Sequence, residues 1–508
     1  MLASVLNFSI HRSKLILVMV LAIGALGLWN FTKLPIDAVP DITNVQVVIN
    51  TEAAGFTPLE VEQRVTYPLE TALAGLPNLV NTRSVSRYGL SQVVAVFSDQ
   101  TDVYFARQIV GEKLISAKSE LPFGVEPELG PVSTGLGEIF MFTVDSTPGA
   151  LNENGLPVTP TDLRTVHDWI IRPQLMQVEG VVEVNPIGGF KREILIAIKP
   201  EKLLAHGITQ QDVITAVSLH NQNRGAGFIE RNGAQWLVRV PGQLKDLEQL
   251  ANVPIQSKDG QVLRIKDVAD VKEGKELRSG AATQNGREVV MSTVFMLIGE
   301  NSQKVAKAVG EKLKEINKSL PQGVVATAVY DRTKLVNKTL NTVKTNLIEG
   351  AILVIVILFL LLGNIRAALI TAAVIPFAML MTVTGMVQAG VSANLMSLGA
   401  LDFGLLVDGA IIIVENCLRR LSQASNGKAL DVKERLSVVF DATKEVIRPA
   451  LFGVFIITAV YLPIFALTGV EGKMFHPMAI TVVLALVAAM ILSITFVPAA
   501  IAILFKGP

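Results

Sequence analysis

Three carboxylates offer the clearest chemistry in this sequence: Asp402, Asp408 and Glu415, in the string L-D-F-G-L-L-V-D-G-A-I-I-I-V-E-N from Leu401 to Asn416. Their surroundings are apolar enough to lie inside a bilayer. On insertion scales each acid costs roughly 2.5–3.5 kcal/mol at the centre of a membrane helix, so such acids normally face a bundle interior or a wet cavity, where they handle ions or protons. At about 100° per residue, seven steps bring Asp408 and Glu415 nearly onto one face, two turns apart. Six steps set Asp402 about 120° round from Asp408 and roughly 9 Å along the axis. The pattern is a ladder of acids, not one compact site. Plainer explanations exist: Glu415, near the end of the apolar run, can reach headgroups or water, and Asp402, after Gly399, can start a helix or line a cavity. Asp408, between Val407 and the Ile411–Val414 run, has the weakest plain explanation.

The elements that must hold these acids come next. The chain has 508 residues, half of them hydrophobic, and a mean hydropathy of +0.47. That is too apolar for an ordinary soluble protein, and the excess collects at the N-terminus and beyond Leu347. A net charge of +1 gives no bulk electrostatic argument for nucleic acid. Cys417 is the single cysteine, which excludes an intramolecular disulfide and a multi-cysteine metal site. At the start, His11, Arg12 and Lys14 precede an apolar run from Leu15 to Phe31. The run exceeds the usual signal-peptide core of about 7–15 residues and lacks a clear small-x-small site before Pro35. It reads as a retained transmembrane helix whose basic flank holds its start in the cytoplasm.

From Leu34 to about Asn337 the composition is that of a soluble α+β region. Asn44–Asn50 alternates as a strand. Thr57, Pro58 and Glu60 form a capping box with proline in the first turn, opening a helix to about Ala74. Asn81–Ser86 and Ser91–Ser98 read as a hairpin around Tyr88-Gly89, and Val103–Leu121 as a helix. The grammar repeats with Glu138–Val144, Thr161–Met176 and Gly180–Pro186, and again with Val289–Ile298, Ser302–Ser319 and Val324–Tyr330. Between them, from about Gly188 to Glu276, lie short strands, a helix at Thr209–His220, and turns at Asn232-Gly233 and Asp259-Gly260. Such units build small split domains with helices on one face of a mixed sheet, but strand order does not follow from the sequence.

After Thr333 the chain turns helical. Leu347–Leu362, Ala367–Gln388, Leu395–Asn416, Ile447–Leu467 and Met474–Phe505 supply five more spans, the last ending at Lys506. Cys417–Arg448 reads as a polar loop in which Arg419–Arg448 holds seven basic residues against four acidic ones. Six spans put both ends and this basic loop in the cytoplasm and the large soluble region outside.

The acidic string resembles the fourth transmembrane helix of heavy-metal efflux pumps of the resistance–nodulation–division superfamily. P-I-D-A-V-P-D-I-T from Pro35, G-F-T-P-L-E-V-E-Q-R-V-T-Y-P-L-E from Gly55 and G-L-G-E from Gly135 resemble the same pumps, and the likeness extends across the whole chain. It is most similar to the cobalt–zinc–cadmium type, because the copper/silver branch usually carries fewer acids in this helix. The resemblance implies an α+β membrane protein with a periplasmic porter and docking region between helices 1 and 2, half of a twelve-helix protomer. It implies a proton-driven antiporter for divalent cations of the Zn, Co, Cd or Ni class, working in the bacterial inner membrane as a homotrimer, with a periplasmic adaptor and an outer-membrane channel. Its proton-relay acids map onto Asp402, Asp408 and Glu415, and proton occupancy would move a helix whose motion the long helix from Thr333 passes outward. No permanently bound cofactor is implied; the ions handled are the transported cation and protons. By the same likeness, 1–33 holds the first helix, 34–133 is one porter subdomain, 134–179 with 277–333 the second, 180–276 the docking subdomain, and 334–508 the remaining helices with the cytoplasmic loop 417–448. Such pumps carry two halves, whereas this sequence stops at Pro508 after one. The expectation is a piece of a longer protein, or a split protein needing a partner polypeptide, unable to pump alone.

Metal ligands are harder to find. Divalent ions favour imidazole and carboxylate, but the five histidines (His11, His167, His206, His220 and His476) have no close His or Cys neighbours at chelating spacing. His206 reads as a helix-end residue and His476 as an interfacial one. Glu138, after the Gly135–Gly137 turn, is the best single candidate, with an exposed strand-edge charge as its plainer explanation. Met141, Met176, Met291 and Met296 read as core. Competing functions are a pump of the same superfamily for drugs or lipids and a non-transporting membrane scaffold. An intramembrane aspartyl protease needs two facing aspartates a few ångströms apart, which one helix does not provide here. The sequence has no G-x-x-x-x-G-K-[ST] loop, so ATP is not the expected energy source.

Overall fold

The computed structural model describes residues 2–37, 39–240, 242–256, 262–276, 280–425 and 431–505. The turn expected at Asp259-Gly260 and the span end at Lys506 lie outside the described residues. Among the described residues six helical stretches are long and apolar enough to cross a membrane: Ser13–Phe31, Arg332–Leu360, Ile365–Gln388, Leu395–Ser425, Val432–Ala466 and Gly469–Leu504, hereafter spans 1 to 6. Spans 3, 4 and 6 are about half buried, whereas spans 2 and 5 are peripheral. The shared core joins Ile375 and Ala378 of span 3, Leu406 and Ile413 of span 4, and Ala485 and Leu492 of span 6. Span 1 enters along a stripe of Ile16, Val20, Gly24, Gly27 and Asn30, with turn-to-turn spacing. A short helix, Leu2–His11, tucks Leu6 and Ile10 against the ends of spans 5 and 6.

The spans are longer than their apolar cores. Span 2 leaves the strand Val324–Asp331 directly, because Asp331 caps it by accepting from the Thr333 N–H (2.9 Å) and hydroxyl (2.6 Å). The loop expected over 417–448 is mostly helix: span 4 runs to Ser425 and span 5 starts at Val432. Its charged residues are good helix formers, and one side of the hairpin buries Cys417, Val439 and Thr443. Asn416 donates to the Ala442 carbonyl (2.8 Å) across the hairpin, and Arg420 pairs with Glu445 at 2.9 Å.

Three α+β units fill the region between spans 1 and 2. In the first, the strands stand in the order Leu79–Arg87, Leu90–Phe97, Gln46–Glu52, Pro127–Leu129, all antiparallel. Helices from Pro58 to Leu73 and Val103–Ala117 cover one face around Val65, Leu69, Val110 and Leu114. The Thr57 capping box is present: Thr57 Oγ1 accepts from the Glu60 N–H (3.4 Å) and Glu60 Oε2 from the Thr57 N–H (2.9 Å). In the second unit, Arg287–Met296 is central, with Glu138–Ser146 and then Val324–Asp331 on one side, and Val181–Ile187 and Ala282–Gln284 along the other. Helices from Pro160 to Leu175 and Ser302–Ile316 cover it.

The covering helices share an irregularity that their prolines explain. Residues Glu62–Thr66 and His167–Ile171 form wide π turns, two residues ahead of Pro68 and Pro173. A proline lacks the N–H for the i−4 bond and crowds that carbonyl, so the preceding turn widens. The third unit pairs Arg192–Ile198 with Ala269–Lys275 and carries a long hairpin, Arg224–Arg231 with Ala234–Val240. Asn232 (φ 54°) and Gly233 (φ 75°) turn that hairpin in the left-handed conformation the pair was expected to supply.

Candidate ion-relay site on the fourth span

Span 4 is not one helix. Asn394 caps a short segment, Leu395–Gly399, and a second begins at Phe403 and runs to Ser425. Asp402 sits in the break and accepts the Gly404 N–H at Oδ1 (2.8 Å). Its side chain therefore faces the positive end of the longer helix, where a carboxylate is favoured. The rotation expected between Asp402 and Asp408 assumed an unbroken helix; glycines at 399 and 404 and a capping aspartate between them end that assumption. Asp402 also lines a cavity of about 410 Å³ between spans 2 and 4, with Asn346, Gly350, Leu353 and Leu398. Span 2 comes close there, since a Cβ on Gly350 would lie 3.1 Å from the Phe403 ring.

Asp408 and Glu415 lie on the unbroken part, seven residues apart. Leu406, Val407, Gly409, Ala410, Ile413 and Val414 are buried against the other spans, while Asp408, Ile412 and Glu415 are exposed. Both acids thus share the one side of span 4 that the other five spans leave uncovered. Among the described residues neither has a hydrogen-bond or ion-pair partner. Asn416, next to Glu415 but on the buried side, accepts from Arg419 (2.7 Å) and donates to Glu445 (3.1 Å). The sequence reading ended the span at this residue and missed that tie; the cue was a polar amide one step round from an acid.

Glu138 opens the strand Glu138–Ser146, half-buried opposite Phe295, after the tight Gly135–Gly137 turn. Among the described residues no group of three or more His, Cys, Asp or Glu side chains could hold a metal ion. His206 ends the helix Pro200–Ala205, and His476 stands 5.8 Å from the Phe465 ring near the start of span 6. Met296 is buried and Met141 and Met291 half-buried, but Met176 is exposed, because the helix ends there just past Pro173.

His167 was passed over for want of chelating neighbours, and the structure makes it the centre of a buried polar network. Its Nδ1 bonds Asp168 at 2.8 Å and its Nε2 bonds the Ser292 hydroxyl at 2.9 Å. Arg164 holds the other oxygen of Asp168 at 2.9 Å. Burial pushes the imidazole below its ordinary range, against the partial opposition of Asp168. Burial alone would raise the Asp168 carboxyl, but the bonds from His167 and Arg164 outweigh it and hold the group low.

An acid-bearing span in a six-helix bundle, joined to split α+β units between spans 1 and 2, defines a polytopic transporter architecture. The AcrB/AcrD/AcrF family matches residues 5–508, and the chain belongs to it. It is 59% identical along its whole length to the cation efflux system protein CzcA of an Alcaligenes species, covering 48% of that protein. It is also 59% identical, with the same coverage, to the cobalt-zinc-cadmium resistance protein CzcA of Cupriavidus metallidurans. A crystal structure of a heavy metal efflux pump superposes with a TM-score of 0.85 at 31% identity, over 97% of this chain and 48% of that one. The chain spans about half the length of the curated relatives it matches.

Proposed function

We propose that the chain is part of the inner-membrane component of a proton/divalent-cation antiporter that exports metal of the Zn, Co, Cd or Ni class. Its likeness to the two cation-resistance proteins supports the substrate class. The observation that carries the coupling is the placement of Asp408 and Glu415 on one uncovered side of span 4, below Asp402 at the helix break. Two ionised acids on a bare membrane helix are costly, so that side calls for a covering partner. In this reading the partner is a second half, absent from this chain, that brings a basic group. Burial disfavours the carboxylate and a nearby cation favours it. An acid that alternates between the two loads a proton on one side and releases it on the other, and the membrane potential adds about 2.3 kcal/mol per charge per 100 mV.

In the same reading 34–133 and 134–179 with 277–333 are periplasmic porter subdomains and 180–276 is the docking subdomain. The assembly is a homotrimer joined to an adaptor and an outer-membrane channel. Glu138 is the proposed cation contact in the porter. The test is the complete transporter carrying Asp408→Asn, assayed for metal export in proton-energised vesicles. Lost export at normal protein levels supports the reading, and export at the parent rate overturns it. Export of drugs or lipids without metal would move the chain to the other substrate class.

A further inference from the structure

The segment from Leu34 to Asn44 ties the membrane bundle to the extramembrane units at four places. The Asp37 N–H donates to the Ala393 carbonyl (3.0 Å) and the Ala393 N–H to the Pro35 carbonyl (2.9 Å), fastening the segment to the turn between spans 3 and 4. Asp37 pairs with the buried Arg332 at the head of span 2 (2.9 Å). Asp41 accepts from Thr134 of the second unit (3.1 Å). At the far end, Lys473 of span 6 donates to the Thr43 carbonyl (2.8 Å) and Asn44 Oδ1 (3.3 Å), and it reaches Asp99 of the first unit at 2.5 Å.

We infer that Lys473 is a positioning residue that makes span 6 the coupling rod from the acidic helix to the first α+β unit, while span 2 serves the second. This rests on the proton-relay reading above and extends it. An ammonium has three donors; Lys473 donates two hydrogen bonds to acceptors outside the bundle and holds an ion pair with Asp99, with only 20% of the side chain exposed. A lysine that merely snorkels to headgroups keeps its charged head in water; this one is held by protein. Lower on the same helix Ser493 lies against Gly409, where a Cβ would meet its hydroxyl at 3.4 Å, one residue from Asp408. A displacement of the acid-bearing helix therefore bears directly on span 6, which carries it to Lys473 through the turn that Pro477 loosens. Span 2 is continuous with the strand Val324–Asp331 of the second unit. Two rods ending on two units can move those units against each other. Between the units lies a narrow cleft lined by Asp41, Arg107, Ser133, Thr134 and Ile298, crossed by the Thr134–Asp41 bond, and Glu138 follows at the next turn.

The test uses the complete transporter in proton-energised proteoliposomes, with zinc as the probe and two readouts: metal export, and protonation of Asp408 from its carboxyl infrared band. Lys473→Met should titrate at Asp408 as the parent does yet export about tenfold more slowly, the scale of one charge-assisted hydrogen bond. Lys473→Arg, which keeps the charge and the donors, should retain most of the export, which separates a lost link from a misfolded protein. Parent-like export by Lys473→Met, or export by Lys473→Arg no better than by Lys473→Met, overturns the inference. Parent-like export by Asp408→Asn instead overturns the proton-relay reading, so the two failures are distinguishable.

Discussion

Replacing His167 by Phe keeps a flat ring in the same place, including its stacking on Phe142, with centroids 6.1 Å apart, and removes both nitrogens. One bond lost joins a neutral hydroxyl, Ser292; the other joins a charged acceptor, Asp168. Net contributions run about 0.5–1.5 kcal/mol for the first kind and 1.5–3 for the second. Ser292 keeps the Asn185 carbonyl at 3.3 Å, and Asp168 keeps Arg164. The second α+β unit should therefore lose about 2–4 kcal/mol of local stability. Amide hydrogen exchange in the strand Arg287–Met296 reads this directly, as an acceleration of about 30- to 700-fold when opening is sub-global. The sign of the pH dependence follows from burial. The folded imidazole binds its proton less readily than the unfolded one, whose ordinary value is 6.5. Stability from this group is complete above 6.5 and falls as pH drops below it toward the lowered folded value, because the unfolded state then binds more protons. Asp168, with its carboxyl held below 3.8, adds its own loss only at lower pH. In His167→Phe the slope just below 6.5 should vanish. Unchanged exchange in the variant, or flat protection in the parent across that window, would refute the reasoning.

Two further substitutions have defined outcomes. A Cβ at Gly27 would sit 2.6 Å from both the Leu380 Cβ and its carbonyl oxygen; backbone cannot yield as a side chain can, so Gly27→Ala should part spans 1 and 3 and cost about 1–3 kcal/mol, read as a lower thermal midpoint in detergent. Thr159→Ala removes the cap that accepts the Asp162 N–H and donates to its carboxylate at 2.8 Å; about 1 kcal/mol should be lost, with faster exchange confined to the first turn after Pro160.

Much of this architecture was legible because its signals are local. Thr57 with Glu60 and Asn232-Gly233 each act within a few residues, and each does what its chemistry allows. The spans were legible because apolar length is a one-dimensional property. What escaped depends on partners distant in sequence. His167 and Ser292 are 125 residues apart, so no spacing rule could join them. The order of strands around Arg287–Met296 is likewise set by packing across the unit. The basic hairpin at 417–448 reads as a loop from charge alone, without helix propensity, and its buried side, Cys417 with Val439 and Thr443, forms only when both helices are in place. The break at Asp402 was half legible, since an aspartate following Gly399 can start a helix, but the uncovered side of span 4 could not be seen from the sequence at all.

The measurement that bears most directly on the proposed coupling is the protonation of Asp408 itself. Infrared difference spectra of the complete transporter, with and without zinc and across pH, should contain a protonated carboxyl band that responds to zinc and is absent from Asp408→Asn. A band unmoved by zinc, or one retained in Asp408→Asn, would mean that Asp408 is not the group that takes up the proton, and the account would fail.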